Sequence, residues 1–106
     1  MITDKIRRQI FERDNWACTA CATGEGLTVH HRANRGMGGT KSMDILSNLL
    51  TLCAHHNGLL ESDARFAEIG RHNGWKISKW ESPQDRLVLY PDGEMYYLTN
   101  DGRKER

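Results

Sequence analysis

Two short ligand-bearing pairs constrain this chain more than any other feature: Cys18-Thr19-Ala20-Cys21 and, about thirty residues later, Cys53-Ala54-His55-His56. The chain holds three cysteines, an odd number that does not close into a disulfide framework. In a cytosolic chain a C-x2-C pair reads as a metal or redox pair. A redox pair of the thioredoxin kind would follow a strand in a βαβ pattern, whereas this one follows a polar, helix-like segment, which favours metal. Zinc takes four nitrogen or sulfur ligands in a closed tetrahedral structural site. Cys18 and Cys21 supply one half, and Cys53 with His56, at the same C-x2 spacing, supplies the other. His55 competes for the fourth place, although C-x-H spacing matches the first half-site less well. The plain alternative, buried cysteines and surface histidines without metal, does not account for two matched half-sites.

A staple of this kind suits the size of the chain. Its 106 residues fit a single domain, 1–106, and a domain this small buries only a modest share of its surface. With 38% hydrophobic and 27% charged residues, the composition is that of a globular chain and not a disordered one. No apolar run approaches the roughly 20 residues needed to span a bilayer, and Met1-Ile2-Thr3-Asp4-Lys5 lacks the basic-then-apolar pattern of a secretory signal. A cytoplasmic protein is expected. The net charge of +1 does not announce a nucleic-acid binder, but its distribution is uneven. Residues 1–41 carry seven Lys/Arg against four Asp/Glu, and residues 42–106 carry eight against ten. Between residues 31 and 41, Arg32, Arg35 and Lys41 stand with no acid among them. Such a stretch is either a candidate phosphate-contacting segment or a solvated loop.

Along the chain, residues 3–14 predict a short amphipathic helix with Thr3 as a possible N-cap and Ile6 and Ile10 on one face. Leu27-Thr28-Val29 alternates like a strand and delivers His30-His31 at its end. A polar, glycine-rich loop runs from Arg32 to Ser47. Leu49-Leu50-Thr51-Leu52 predicts a second strand ending at Cys53, followed by helical patterns over 54–63 and 64–70. In the last third, Trp75–Trp80, Arg86–Tyr90 and Met95–Thr99 predict a small antiparallel meander, with Pro91-Asp92-Gly93 as a turn. The aromatic residues Trp75, Trp80, Tyr90 and Tyr96 are expected to serve in packing before base stacking.

Between the two half-sites, His30 and His31 are adjacent at a strand end, where neighbouring side chains point to opposite faces. The pair therefore divides its work by default. Taken with Arg13-Asp14, Cys18-x2-Cys21, Val29-His30-His31, Gly38-Gly39, Asn48-Leu49, Leu52-Cys53 and His56-Asn57, the sequence resembles the HNH endonucleases, over about residues 7–61. In that family a middle Asn is followed five residues later by Cys, eight later by a second zinc ligand and nine later by the final motif residue. Asn48, Cys53, His56 and Asn57 reproduce those offsets. His56 stands where the family usually has a second Cys, and Asn57 where it usually has the final His. Both are chemically sensible, since His ligates zinc and an amide oxygen suits a hard cation.

The resemblance implies an α+β fold: a ββα-metal core at about 7–63 with a zinc knuckle, an N-terminal helix, and a C-terminal extension at about 64–106 forming the meander. It implies a DNA endonuclease with His31 as general base, and His30 and Asn57 as ligands of a catalytic Mg2+ or Mn2+, with Ni2+ also able to serve. Asn48 would tie down the metal loop and orient the base, and Cys18, Cys21, Cys53 and His56 would hold structural Zn2+. Helix geometry turns Asn57 roughly 100° from its neighbour His56, a direction that can bring it beside His30. Phosphodiester hydrolysis needs a deprotonated water in line with the leaving oxygen and positive charge against the developing negative charge; histidine is the side chain suited to take that proton. The implied products are a 5′-phosphate and a 3′-hydroxyl. The loop Arg35-Gly36-Met37-Gly38-Gly39 is similar to that of small HNH proteins of tailed phages and prophages, which implies DNA and a phage terminase as partners. No heptad or long apolar stripe points to an oligomer beyond a monomer or weak dimer. A zinc-stabilised DNA-binding or scaffold module without catalysis is the alternative, and a zinc protein binding another protein through the aromatic meander is a third reading.

Overall fold

Thr3 starts the first helix. In the computed structural model, which describes residues 2–33 and 44–106, its side chain accepts a hydrogen bond from the Ile6 N–H at 3.1 Å, satisfying an orphan donor of the first turn. Helix α1 runs Asp4–Arg13 and buries Ile10 and Phe11. It stops where Asn15 and Trp16 take left-handed backbone angles, φ 60° and 55°, which a right-handed helix does not propagate.

Strand β1 (Leu27–His31) pairs antiparallel with β2 (Leu49–Cys53), with Thr28 opposite Leu52 and His30 opposite Leu50. Directly opposed residues share a face, so Thr28, His30, Leu50 and Leu52 line one side, and His31, Leu49 and Thr51 line the other. Helix α2 (Ala54–Ser62) follows β2 without a break and covers the first side: Asn57 reaches Thr28, and Leu60 joins Leu50 and Leu52 in the core. Helix α1 covers the second, where Thr51 Oγ1 donates to the Ile10 carbonyl at 3.4 Å. All five residues of β2 are buried, which is why it reads as a continuous apolar run instead of an alternation.

Helix α3 (Ala64–Asn73) begins at Asp63, whose side chain accepts from the Phe66 N–H at 3.0 Å. It lies close on α2 because Gly70 has no side chain; a Cβ there would come 2.4 Å from Leu60 Cδ2. It ends at Gly74, φ 79°, a left-handed cap that glycine adopts without strain.

The second antiparallel sheet has the order β3-β4-β5, from Val88–Leu89, Met95–Leu98 and Lys104–Glu105. A three-stranded meander is thus present, with one member exchanged. The stretch Trp75–Trp80 is not a strand: it makes a single parallel bridge, Ile77 to Ala33, and then turns. The Glu81 N–H donates to the Ser78 carbonyl at 3.0 Å, and the Ser78 N–H donates to Glu81 Oε2 at 2.8 Å. Trp75 is buried while Trp80 is 84% exposed, so their spacing imitated a strand without sharing its environment, and Trp80 does not serve in packing. The third strand comes from the polar tail. Val88, Tyr90 and Leu98 enter the same core as Leu50, Leu52, Leu60 and Trp75, which packs the C-terminal sheet on the first half. Among the described residues the fold is α+β, with three α-helices and two small antiparallel sheets. No helix among them is long and apolar enough to cross a membrane.

Candidate functional site

Cys18, Cys21, Cys53 and His56 converge, with their ligand atoms all within 4.8 Å of one another. The loop after α1 delivers the first two, the end of β2 delivers Cys53, and the first turn of α2 delivers His56. Zinc with sulfur at ~2.3 Å and nitrogen at ~2.05 Å places tetrahedral ligand atoms about 3.5–3.8 Å apart. Here Cys53 Sγ lies 3.2 Å from His56 Nδ1, Cys18 Sγ lies 3.9 Å from the same nitrogen, and Cys21 Sγ lies 4.0 Å from Cys53 Sγ. The set fits, and the cluster can hold a metal such as zinc. His55 is exposed on α2 and stands outside the cluster, so His56 is the fourth member.

The thiols of Cys18 and Cys53 are shifted in opposite directions. Burial pushes the Cys18 thiol up to about 11, so a thiolate there needs positive charge beside it. Cys53 caps α2, its sulfur accepting from the His56 N–H at 3.5 Å. Burial pushes the Cys53 thiol up, but the His56 N–H and the neighbouring thiols outweigh that and bring it below its ordinary value, as expected at a helix N-terminus.

A second constellation forms where β1 meets α2. His30 is buried, and its Nε2–H donates to the Trp75 carbonyl at 2.9 Å. That bond leaves Nδ1 as the acceptor nitrogen of the ring, the arrangement that metal-ligating histidines commonly show. Burial pulls His30 down to about 4, so its imidazole is neutral at neutral pH and keeps its lone pair. Asn57 Nδ2 donates to Thr28 Oγ1 at 2.8 Å, and Thr28 Oγ1 donates to the Leu52 carbonyl at 2.7 Å. With its nitrogen so engaged, Asn57 is left with its oxygen as an acceptor, and its side chain acts on His30 in the direction that favours the charged imidazole, as a nearby acceptor oxygen does. Glu61, one turn beyond Asn57 on α2, also acts on His30 through its negative charge.

On the other side of β1, His31 Nε2–H donates to Asp44 Oδ1 at 2.7 Å. Asn48 is fully buried and pairs with both backbone groups of Ala33: its Oδ1 accepts from the Ala33 N–H at 2.9 Å, and its Nδ2 donates to the Ala33 carbonyl at 3.3 Å. The Arg32 N–H donates to the Asn48 carbonyl at 2.8 Å. Asn48 therefore fixes the backbone just beyond the two histidines.

Arg32 corrects the sequence reading. It has no exposed surface, and its guanidinium donates to the carbonyls of Gly74, Ser47, Pro83 and Arg86 at 2.8–2.9 Å. It joins the core segments instead of meeting a phosphate. Arg35 and Lys41, with the glycines between them, lie outside the described residues. Arg13-Asp14 is likewise structural: Arg13 Nε and Nη2 grip both Asp14 oxygens at 2.9 and 3.1 Å.

Sequence reasoning missed Thr28, Asp44, Glu61 and the Trp75 carbonyl. Thr28 was within reach, since it lies two residues before His30 on the same strand face, as was Glu61, four residues after Asn57 on one helix face. Nothing local marks Asp44 or the Trp75 carbonyl as partners of a histidine. No protein-family model, curated protein or solved structure significantly matches this chain.

Proposed function

We propose that the chain is a metal-dependent DNA endonuclease of the HNH type, hydrolysing phosphodiester bonds with His31 as general base. A divalent cation, Mg2+ or Mn2+ with Ni2+ as a further option, is held by His30 and Asn57, beside structural zinc at Cys18, Cys21, Cys53 and His56. The observation that carries this reading is the pairing of His30 with Asn57. One imidazole with a backbone-tied Nε2–H keeps a ring lone pair, and one amide with a Thr-tied nitrogen keeps its oxygen for a ligand, one residue beyond a zinc-type knuckle. A purely structural zinc module has no use for that arrangement. The β1–β2–α2 order is the one a ββα-metal core requires.

When bound, the cation supplies positive charge against the scissile phosphate and the departing 3′ oxygen. The residues do the rest. His31 Nδ1 accepts a proton from the attacking water while Nε2–H stays on Asp44. The water oxygen bonds to phosphorus, the bond from phosphorus to the 3′ oxygen breaks, and that oxygen takes a proton from solvent. The products are a 5′-phosphate and a 3′-hydroxyl. Asn48 holds the strand end that carries both histidines. DNA is the proposed partner, and a role beside a phage terminase rests on the loop resemblance alone.

Nicking of supercoiled plasmid with Mg2+, Mn2+ and Ni2+, with and without chelator, tests the reading. Cation-dependent nicking that falls by about 10²-fold or more in His31→Ala is expected. The alternative, a zinc-stabilised DNA-binding or scaffold module, predicts intact fold and zinc with no nicking under any of these cations.

A further inference from the structure

Asp44 was legible neither as a ligand nor as part of a motif, yet it makes the short contact to His31. The two side chains are 11% and 19% exposed, and their atoms meet at 2.7 Å. Asp44 lies two residues before a 3-10 turn, Leu46–Asn48, and that turn is tied to the end of β1. Asn48 makes its three bonds to Arg32 and Ala33 there, and Arg32 Nη1 donates to the Ser47 carbonyl at 2.9 Å. Both ends of the His31–Asp44 contact are thus anchored to one rigid junction, and the contact does not depend on two free surface side chains finding each other.

We infer that Asp44 is a positioning residue that holds His31 as its Nε2–H tautomer and turns Nδ1 outward as the proton acceptor. The catalytic half of this inference rests on the nuclease reading; the tautomer half does not. An ionised carboxylate only accepts hydrogen bonds, so the nitrogen facing it must carry the hydrogen, and the other nitrogen keeps the lone pair. An imidazole without such a tie divides between tautomers and rotates. The carboxylate also sits beside the positive charge that His31 gains when it takes the water proton; that proton resides on Nδ1, the original hydrogen stays on Nε2, and Asp44 remains ionised.

The test uses full-length, zinc-loaded protein with 15N-labelled histidine. In the parent, without added divalent cation, His31 should show the nitrogen shifts of an Nε2–H tautomer; an Nδ1–H tautomer overturns the inference outright. In Asp44→Asn that signature should blur into a mixture, with kcat for nicking down about 10- to 100-fold and KM within about twofold. Asp44→Glu should recover part of the loss. In a His31→Ala background, Asp44→Asn should have no further effect, because the residue acts only through the ring. Asp44→Asn with the parent's tautomer and kcat sinks the proposal. If the parent itself never nicks, the nuclease reading falls separately, and the tautomer comparison still decides whether Asp44 holds His31.

Discussion

The Asn57 side chain is held by Thr28, with Nδ2 donating to Oγ1 at 2.8 Å across the seam between α2 and β1. The hydroxyl can accept in that direction because its own hydrogen is committed to the Leu52 carbonyl at 2.7 Å. The amide is therefore oriented: its nitrogen is committed to Thr28 on β1 and its oxygen is left as the acceptor. A β-branched hydroxyl in a strand thereby sets which atom of a helical asparagine a cation would meet.

Removing that orientation should cost activity without costing zinc. Thr28→Val keeps the shape, removes both hydrogen bonds and should destabilise by about 1–2 kcal/mol. Nicking at limiting Mg2+ should fall about 10-fold and recover as Mg2+ is raised. Asn57→Ala should abolish nicking at ordinary cation concentrations while zinc content stays at the parent's level. Asn57→His should regain some activity and favour Ni2+ or Zn2+ over Mg2+. Zinc content and Mg2+ titrations, measured side by side, decide this; a zinc-free Asn57→Ala would place Asn57 in the knuckle instead.

The knuckle makes a separate prediction. Structural zinc is worth on the order of 10 kcal/mol in small domains, comparable with the whole stability of a typical domain. Purified protein should carry about one Zn2+ per chain by elemental analysis. Cys18→Ser and His56→Ala should lose it and melt or aggregate. His55→Ala, on the exposed side of α2, should stay within about 0.5 kcal/mol of the parent. A stable, chelator-resistant His56→Ala would remove His56 from the ligand set.

Which parts of this were legible follows from how local their causes are. The half-sites show in the sequence because a metal demands ligands at fixed short spacings, β1 shows because it alternates, and β2 shows because burial along its whole length makes an unbroken apolar run. Asn57 came from the family resemblance, as the residue nine after Asn48, and its bond to Thr28 had no sequence signal. Arg32 did not follow. A cation in an acid-free stretch reads as surface, and here its burial is compensated by four carbonyls that no sequence pattern reveals. Trp75–Trp80 misled because its aromatic spacing suits a strand, whereas the segment passes from a buried Trp75 into an exposed turn at Trp80, and β5 was invisible because an edge strand of two polar residues carries no alternation.

Arg32 offers a way to check that correction. In Arg32→Gln four carbonyls lose their donor, and each buried acceptor left unsatisfied costs about 1–3 kcal/mol. The melting temperature and soluble yield should fall sharply. The folded fraction should bind DNA with the parent's salt dependence, since no phosphate contact is lost. A stable Arg32→Gln with a shallower salt dependence would return Arg32 to the nucleic-acid surface.

Tyr90 carries a prediction about pH that is independent of the metal sites. It is buried, and its hydroxyl donates to Asp14 Oδ1 at 2.6 Å, while Asp14 is also gripped by Arg13 and accepts from the Thr51 N–H at 3.0 Å. Burial, and after it the charge of Asp14, push the phenol well above its ordinary value. A folded pKa raised above the unfolded one means the fold favours the protonated phenol. The stability it contributes is complete below the unfolded value of about 10 and drains away as pH rises beyond it. In Tyr90→Phe the neutral-pH stability should drop by about 1.5–3 kcal/mol, the value of a hydrogen bond to a charged group. The decline between about pH 9 and about pH 11 should also be shallower than in the parent. Urea unfolding of both proteins across that range, with zinc in excess, measures both effects. Equal slopes in the two proteins would mean that Tyr90 ionises as readily in the fold as outside it, and that the Arg13–Asp14–Tyr90 junction joining α1 to the C-terminal sheet is looser than its short contacts imply.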